Sequence, residues 1–144
     1  MNAAVVIVGG VLVLGAASGG SDTATAAGPA EPGTTGIYPT LAGLVEDAGF
    51  PRHHHDDMVA IAMAESSGRL DVVSAPNRNG TRDRCAWQIN DVHGYDRSRL
   101  INDPSYCAAA AREVYHRQGL GAWTVYNTGA YRQYLGAARA AVDR

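Results

Sequence analysis

Glu65 is the only charged residue between Asp57 and Arg69, and it closes the uninterrupted apolar run Met58 to Ala64. A helix that is apolar on every side belongs inside a core rather than on a surface. Met58, Ile61, Ala62 and Glu65 fall at i, i+3, i+4 and i+7, so one stripe of that helix ends in a carboxyl group. Burial disfavours the charged form of a carboxyl and raises its pKa. An acid that stays protonated near neutral pH can give its proton to a leaving group. The plainer reading of the same residue is a helix-end Glu facing water.

Two other groupings invite chemistry. His53-His54-His55-Asp56-Asp57 suggests a metal site, but neighbours in a helix point in different directions. Only a pair such as His53 and Asp57 can face one ion, so the segment reads as a solvated first helical turn with Asp56 and Asp57 complementing the helix N-terminus. Cys85 and Cys107 are the only cysteines. An even pair reads as a disulfide in an oxidising compartment, or as two buried free thiols otherwise. Neither lies in a CxxC, which gives no support to a zinc or thioredoxin-type site. No metal and no organic cofactor is expected.

These residues need elements to hold them. Ser18 to Gly36 is rich in Gly, Ala, Ser, Thr and Pro and has no periodicity, so it reads as a flexible linker. The folded part starts near Ile37. Pro39 to Ala48 predicts a short helix that Gly49 ends. Pro51 opens a helix running to about Glu65, and Ser66-Ser67-Gly68 stops it. Arg69 to Arg84 is polar and turn-rich, with Asn79-Gly80 as a tight-turn signal, and suits a small hairpin or a structured loop. Asp103-Pro104 starts a long helix, the Asp capping it and the Pro taking its first position. That helix ends near Gln118, with Arg112 and Arg117 toward its negative end. A short helical piece holding Trp123 follows, Asn127-Thr128-Gly129 interrupts the chain, and a last helix covers about Ala130 to Val142. The domain is expected to be mainly α with a small β element.

The 144 residues suffice for one domain with a modest core. All twelve basic residues are Arg, none earlier than position 52, and ten acids share that stretch. The balance is too even for a nucleic-acid footprint and leaves no basic stripe. It permits approach to an anionic polymer such as a cell wall. Ala3 to Ala17 is uncharged and apolar, short for a membrane span but suited to the apolar region of an export signal. Ala24-Thr25-Ala26 and Ala16-Ala17-Ser18 have the small-x-small pattern of a cleavage site, although no basic residue precedes the apolar stretch. The expected organisation is a signal or membrane anchor over 1–17, a linker over 18–36 and a folded domain over 37–144.

Three segments in order carry a resemblance: Ala64-Glu65-Ser66, then Asp83-Arg84-Cys85-Ala86-Trp87-Gln88-Ile89-Asn90, then Tyr126-Asn127-Thr128-Gly129. Their order and spacing resemble the lysozyme-like superfamily, in particular the soluble lytic transglycosylase type of bacteria and phages. Asp103-Pro104-Ser105-Tyr106 is similar to the segment that opens that family's long helix. The resemblance covers roughly Tyr38 to Leu135. It implies a lysozyme-like α+β fold, a helical domain with a small hairpin beside a cleft. It also implies cleavage of the β-1,4 bond between N-acetylmuramic acid and N-acetylglucosamine in peptidoglycan.

The same resemblance suggests roles. Glu65 matches the catalytic acid, which protonates the bridging oxygen. The stretch around Asp83 also resembles the hairpin of animal-type lysozymes, where an Asp before Gln-Ile-Asn stabilises or captures the glycosyl cation. If Asp83 faces Glu65, hydrolysis by two carboxylates follows. If Asp83 pairs with Arg82 or Arg84 on a solvated turn, Glu65 acts alone and the sugar's own 6-hydroxyl ends the reaction as an anhydro product. Gln88 matches a position that lines the cleft, or is a backbone-bonded Gln; Tyr126 matches the family tyrosine near the catalytic acid, where its hydroxyl holds the acid or contacts sugar, or is a core Tyr. Asn127 contacts Glu65 or caps the turn, and Ser66 bonds substrate or ends the helix. Trp87 and Trp123 are candidates for stacking on sugars, with a core position favoured for Trp123. Tyr131 and Tyr134 read as a packing stripe. Cys85 stands where the family usually has Gly; if that Gly serves close backbone approach or a positive φ, Cys is strained there, and a disulfide to Cys107 on the long helix offers a way to hold the altered backbone. Peptidoglycan strands are the expected partner, with membrane or virion attachment through the N-terminal segment. A catalytically inactive glycan-binding or structural component on the same fold is the alternative.

Overall fold

The structure, a computed structural model, describes residues 36–144. The expected signal or anchor over 1–17, and the linker over 18–36 apart from Gly36, lie outside the described residues. Among the described residues no helix is long and apolar enough to cross a membrane.

The chain opens with α1 (Ile37–Asp47). It begins two residues before Pro39, because a proline is tolerated throughout a first turn whose N–H groups have no helical partner. Gly49 ends it with φ +78°. Pro51 precedes a 3-10 turn over Arg52–His54 rather than opening the next helix itself. Helix α2 (His55–Ser66) follows. The expected solvated first turn needs correction at one residue: His55 is buried, and its Nε2 donates to the Phe50 carbonyl at 2.8 Å. Its neighbours do meet the surface, where His54 pairs with Asp57 at 2.9 Å and Asp56 with Arg139 at 3.0 Å.

Helix α2 is the axis of the domain. Every residue from Met58 to Met63 is buried, as an apolar run without a polar face requires. It packs against α1, against α6 (Leu135–Val142) and against a 3-10 segment over Ala130–Tyr134. The single last helix expected from Ala130 is thus divided between that 3-10 segment and α6. At the C-terminus of α2, Ser67 is left-handed at φ 56°, and the Gly68 N–H returns to the Ala62 carbonyl at 3.3 Å. A Cβ on Gly68 would lie 2.6 Å from Ile37 Cγ1 and 2.9 Å from Met63 Sδ, so only glycine fits where α1 closes over the end of α2.

The β element is β1 (Asp83–Arg84) paired antiparallel with β2 (Ile89–Asn90). Its first strand closes the Arg69–Arg84 stretch expected to hold it, and its second lies beyond that stretch. That stretch supplies the other edge through a bridge from Val73 to Arg84, and Asn77 to Thr81 closes the expected turn around Gly80. Helix α3 (Arg97–Asn102), absent from the sequence expectation, is capped by Asp96, whose Oδ1 accepts the Arg99 N–H at 2.8 Å. Helix α4 (Pro104–Gln118) begins as expected, with Asp103 accepting the Tyr106 N–H at 3.0 Å and Pro104 at its start. Arg112 on α4 donates to the Gly49 carbonyl at 3.0 Å, tying α4 to the end of α1. A 3-10 turn over Leu120–Ala122 leads to Trp123 and α5 (Thr124–Thr128), so Asn127 and Thr128 complete a helix rather than interrupting the chain.

Both tryptophans are core residues. Trp87 Nε1 donates to the Met58 carbonyl at 3.0 Å, and Trp123 Nε1 donates to the Trp87 carbonyl at 2.9 Å. The hairpin loop is thereby fastened to α2 on one side and to the start of α5 on the other. The expectation that Trp87 stacks on sugar is corrected: its ring is fully enclosed, and an indole buried this deeply needs its N–H bonded.

Candidate active site

Glu65 occupies the last turn of α2, where the enclosed part of the helix gives way to partial exposure. Among the described residues its carboxyl has no hydrogen-bond partner. Burial pushes its pKa up from 4.5 to about 7, and the negative charge of Asp83 adds to the effect. Neither cause operates on a Glu facing open water.

Asp83 is held in β1 and is buried. Its Oδ1 accepts from Asn90 Nδ2 at 2.7 Å and its Oδ2 from Asn77 Nδ2 at 3.3 Å. Its backbone N–H donates to Ser74 Oγ at 2.9 Å. Thr81 Oγ1 receives both amides as well, at 3.2 and 3.3 Å, and donates to Asn79 Oδ1 at 2.7 Å. Amide donors thus orient this carboxylate without a cation beside it.

The two neighbouring arginines go elsewhere. Arg84 Nε bonds Asp91 at 2.8 Å, and Arg82 donates to the Ser74 carbonyl at 2.8 Å. The Arg84 hydrogen bond keeps the Asp91 carboxyl below its ordinary pKa. Strand alternation explains the sorting: successive side chains leave β1 on opposite faces, so Asp83 cannot share its direction with Arg84. The solvated-turn alternative for Asp83 is set aside by its burial and by these partners.

The remaining predicted positions are distributed unevenly. Ser66 is buried and its hydroxyl donates back to the Ala62 carbonyl at 3.0 Å, so it ends the helix and offers no free donor to a sugar. Gln88 is half-buried and its Nε2 donates to the Cys85 carbonyl at 3.0 Å, which leaves its amide oxygen as the free end. Tyr126 is half-buried, with its ring 5.0 Å from that of the buried Tyr131. Asn127 is exposed and spends its Nδ2 on the Gly121 carbonyl at 2.9 Å, the turn-capping alternative.

Cys85 and Cys107 form a disulfide that joins the hairpin loop to α4. Cys85 has φ +59°, a left-handed conformation, so of the two uses of the family glycine it is the positive φ that holds here. Gln88 is also left-handed, at φ 48°. The Gln88 N–H closes the loop on the Cys85 carbonyl at 3.1 Å, while the Cys85 N–H reaches the Val72 carbonyl at 2.8 Å.

Sequence reasoning did not assign Asn77 and Asn90 a role. For Asn90 a signal existed. A hairpin loop over 85–88 sets Asp83 directly opposite Asn90, the observed register. For Asn77 only the folded loop supplies the contact.

Comparison with known proteins follows the same outline. Residues 42–125 match the family described as a lysozyme-like domain. A lysozyme of Galleria mellonella is 32% identical over 96 residues, covering 58% of this chain and 79% of that protein. Lysozyme D and lysozyme B of Drosophila melanogaster are each 29% identical over 103 residues, covering 61% of this chain and 74% of each relative.

Proposed function

This chain belongs to the lysozyme-like domain family, and from that premise we propose that it cleaves the β-1,4 glycosidic bonds of peptidoglycan with Glu65 as general acid and Asp83 as the partner carboxylate. The observation that carries the assignment is the raised pKa of Glu65, at about 7, beside an Asp83 fixed by amide donors. An acid that retains its proton near neutral pH and a second carboxyl group across from it can divide the work of glycoside cleavage.

In this reading the Glu65 proton passes to the bridging oxygen as the bond from the anomeric carbon to that oxygen breaks. The electron pair leaves with the departing sugar, and positive charge develops on the ring that stays. Asp83 stabilises that charge, or captures it in a bond to the anomeric carbon that breaks, returning its electron pair to Asp83, when water attacks. Glu65, now a carboxylate, takes a proton from an incoming water, whose oxygen bonds the anomeric carbon and restores the acid. Gln88 and Tyr126 serve as contacts along the glycan, the first through its unbonded amide oxygen. Asn127 contributes by shaping the turn that carries Tyr126.

The disulfide and the apolar stretch Ala3 to Ala17 support delivery to an oxidising space outside the cytoplasm. Sequencing the mature N-terminus tests that part, and a chain still starting at Met1 argues against a cleaved signal.

Clearing of purified cell wall by the native chain and by Glu65→Gln tests the enzyme assignment. Loss of clearing in the variant is the expected result. Equal clearing by both removes Glu65 as the acid, and none by either returns the chain to a glycan-binding or structural role. Mass analysis of the released fragments tests the role of Asp83: reducing ends support hydrolysis by two carboxylates, and anhydro ends support Glu65 acting alone.

A further inference from the structure

We propose that the Cys85–Cys107 disulfide is a positioning element of the active site, which holds Cys85 in a left-handed conformation and so fixes the place of Asp83. The inference rests on the catalytic reading of Asp83, but its structural half can be measured without substrate.

Cys85 is two residues from Asp83 in the same strand-and-loop unit. Its φ of +59° is a conformation that L-residues avoid and glycine accepts. Both of its backbone polar groups are committed: the N–H to Val72, and the carbonyl to the N–H and the side-chain amide of Gln88. Relaxing Cys85 to a negative φ would break these bonds together. It would also rotate the peptide that follows Arg84 and disturb the register that sets Asp83 against Asn90.

Cys107 lies on α4, a fifteen-residue helix anchored independently by Asp103 at its start and by Arg112 on Gly49. A covalent bond from such a helix restrains the loop without depending on it. The buried sulfur pair leaves no exposed thiol to serve another purpose. A cross-link placed only for overall stability needs no residue in a disfavoured conformation. Here it ends on one.

Two double variants separate backbone conformation from cross-linking: Cys85→Gly with Cys107→Ala, and Cys85→Ala with Cys107→Ala. Both lose the disulfide. Only the first restores a residue at ease with positive φ. Alanine populates that conformation about tenfold less than glycine. The expected result is that the glycine variant clears cell wall at close to the native rate, whereas the alanine variant falls about tenfold in kcat with KM little changed. NMR titration of the Glu65 carboxyl supplies a readout independent of activity. The alanine variant should titrate below the native chain as Asp83 moves away, and the glycine variant should match the native chain. Identical titration and relative activity in both variants overturns the proposal, as does a glycine variant that is no better than the alanine one. If the native chain clears no wall, the catalytic reading fails, and the titration alone decides whether the cross-link positions Asp83.

Discussion

Asn90 stands directly opposite Asp83 in the two-stranded sheet, and its amide nitrogen lies 2.7 Å from Asp83 Oδ1. The same side chain accepts the Val92 N–H through its oxygen at 3.0 Å, so one residue orients the carboxylate and caps the turn after β2. Asn90→Ala removes both bonds and leaves a buried carboxylate short of a donor. We expect a stability loss of about 1–3 kcal/mol in urea unfolding. Clearing of cell wall should fall further than that loss alone would cause.

Glu65→Gln should abolish the proton donor while leaving the fold intact. General acid catalysis contributes about 10² to 10⁴ in rate, so clearing should fall by at least the lower of these factors. Circular dichroism and melting at pH 4, where Glu65 is protonated in both the folded and the unfolded chain, should match the native chain.

The raised pKa of Glu65 has a signed consequence for stability. Its value in the fold, about 7, lies above its ordinary 4.5, so the native state binds this proton more tightly than the unfolded chain does. The favourable contribution is complete below about pH 4.5 and is lost as pH rises through about 7. Relative to Glu65→Gln, the native chain should lose roughly 3 kcal/mol between those limits. Urea unfolding of both proteins at pH 4 and pH 8 measures the difference, and a pH-independent gap contradicts it.

Activity should follow the same group. Clearing by the native chain should decline above about pH 7 as Glu65 loses its proton. Asp83→Asn removes the smaller of the two causes that raise this pKa, so the alkaline limb of whatever activity remains should move to lower pH. A limb that stays in place would detach Asp83 from Glu65.

Gly68→Ala tests the packing at the end of α2. The added methyl meets Ile37 and Met63 at a position with φ +74°. Overpacking and a disfavoured backbone act together, and a loss of about 2–4 kcal/mol in unfolding free energy is expected. The nearby site should then be more mobile, visible as faster amide exchange at Glu65.

Much of this molecule is written in local pattern. The apolar run before Glu65 requires a helix enclosed on all sides, because no polar face exists to meet water. Asp103-Pro104 fixes the start of α4 by capping chemistry that needs nothing distant. Two cysteines in a chain with no others allow one intramolecular bridge, and Cys85 in the place of a family glycine raises a left-handed backbone there without deciding it.

What the sequence left open were choices among partners. Asp83 had arginines on both sides, and in an extended unfolded chain either is an available counter-ion. The sheet gives it neither, since pleating turns Arg84 to Asp91 and Asp83 to two asparagines. Trp87 could equally have lined a cleft or filled a core, and the nearness of the Met58 carbonyl, 29 residues earlier, resolves it. Local propensity is a property of adjacent residues and survives in any fold. Solvation, charge coupling and hydrogen-bond partnership depend on atoms brought together from separate segments, so the proton affinity of Glu65 came into being only when α2 and the hairpin met.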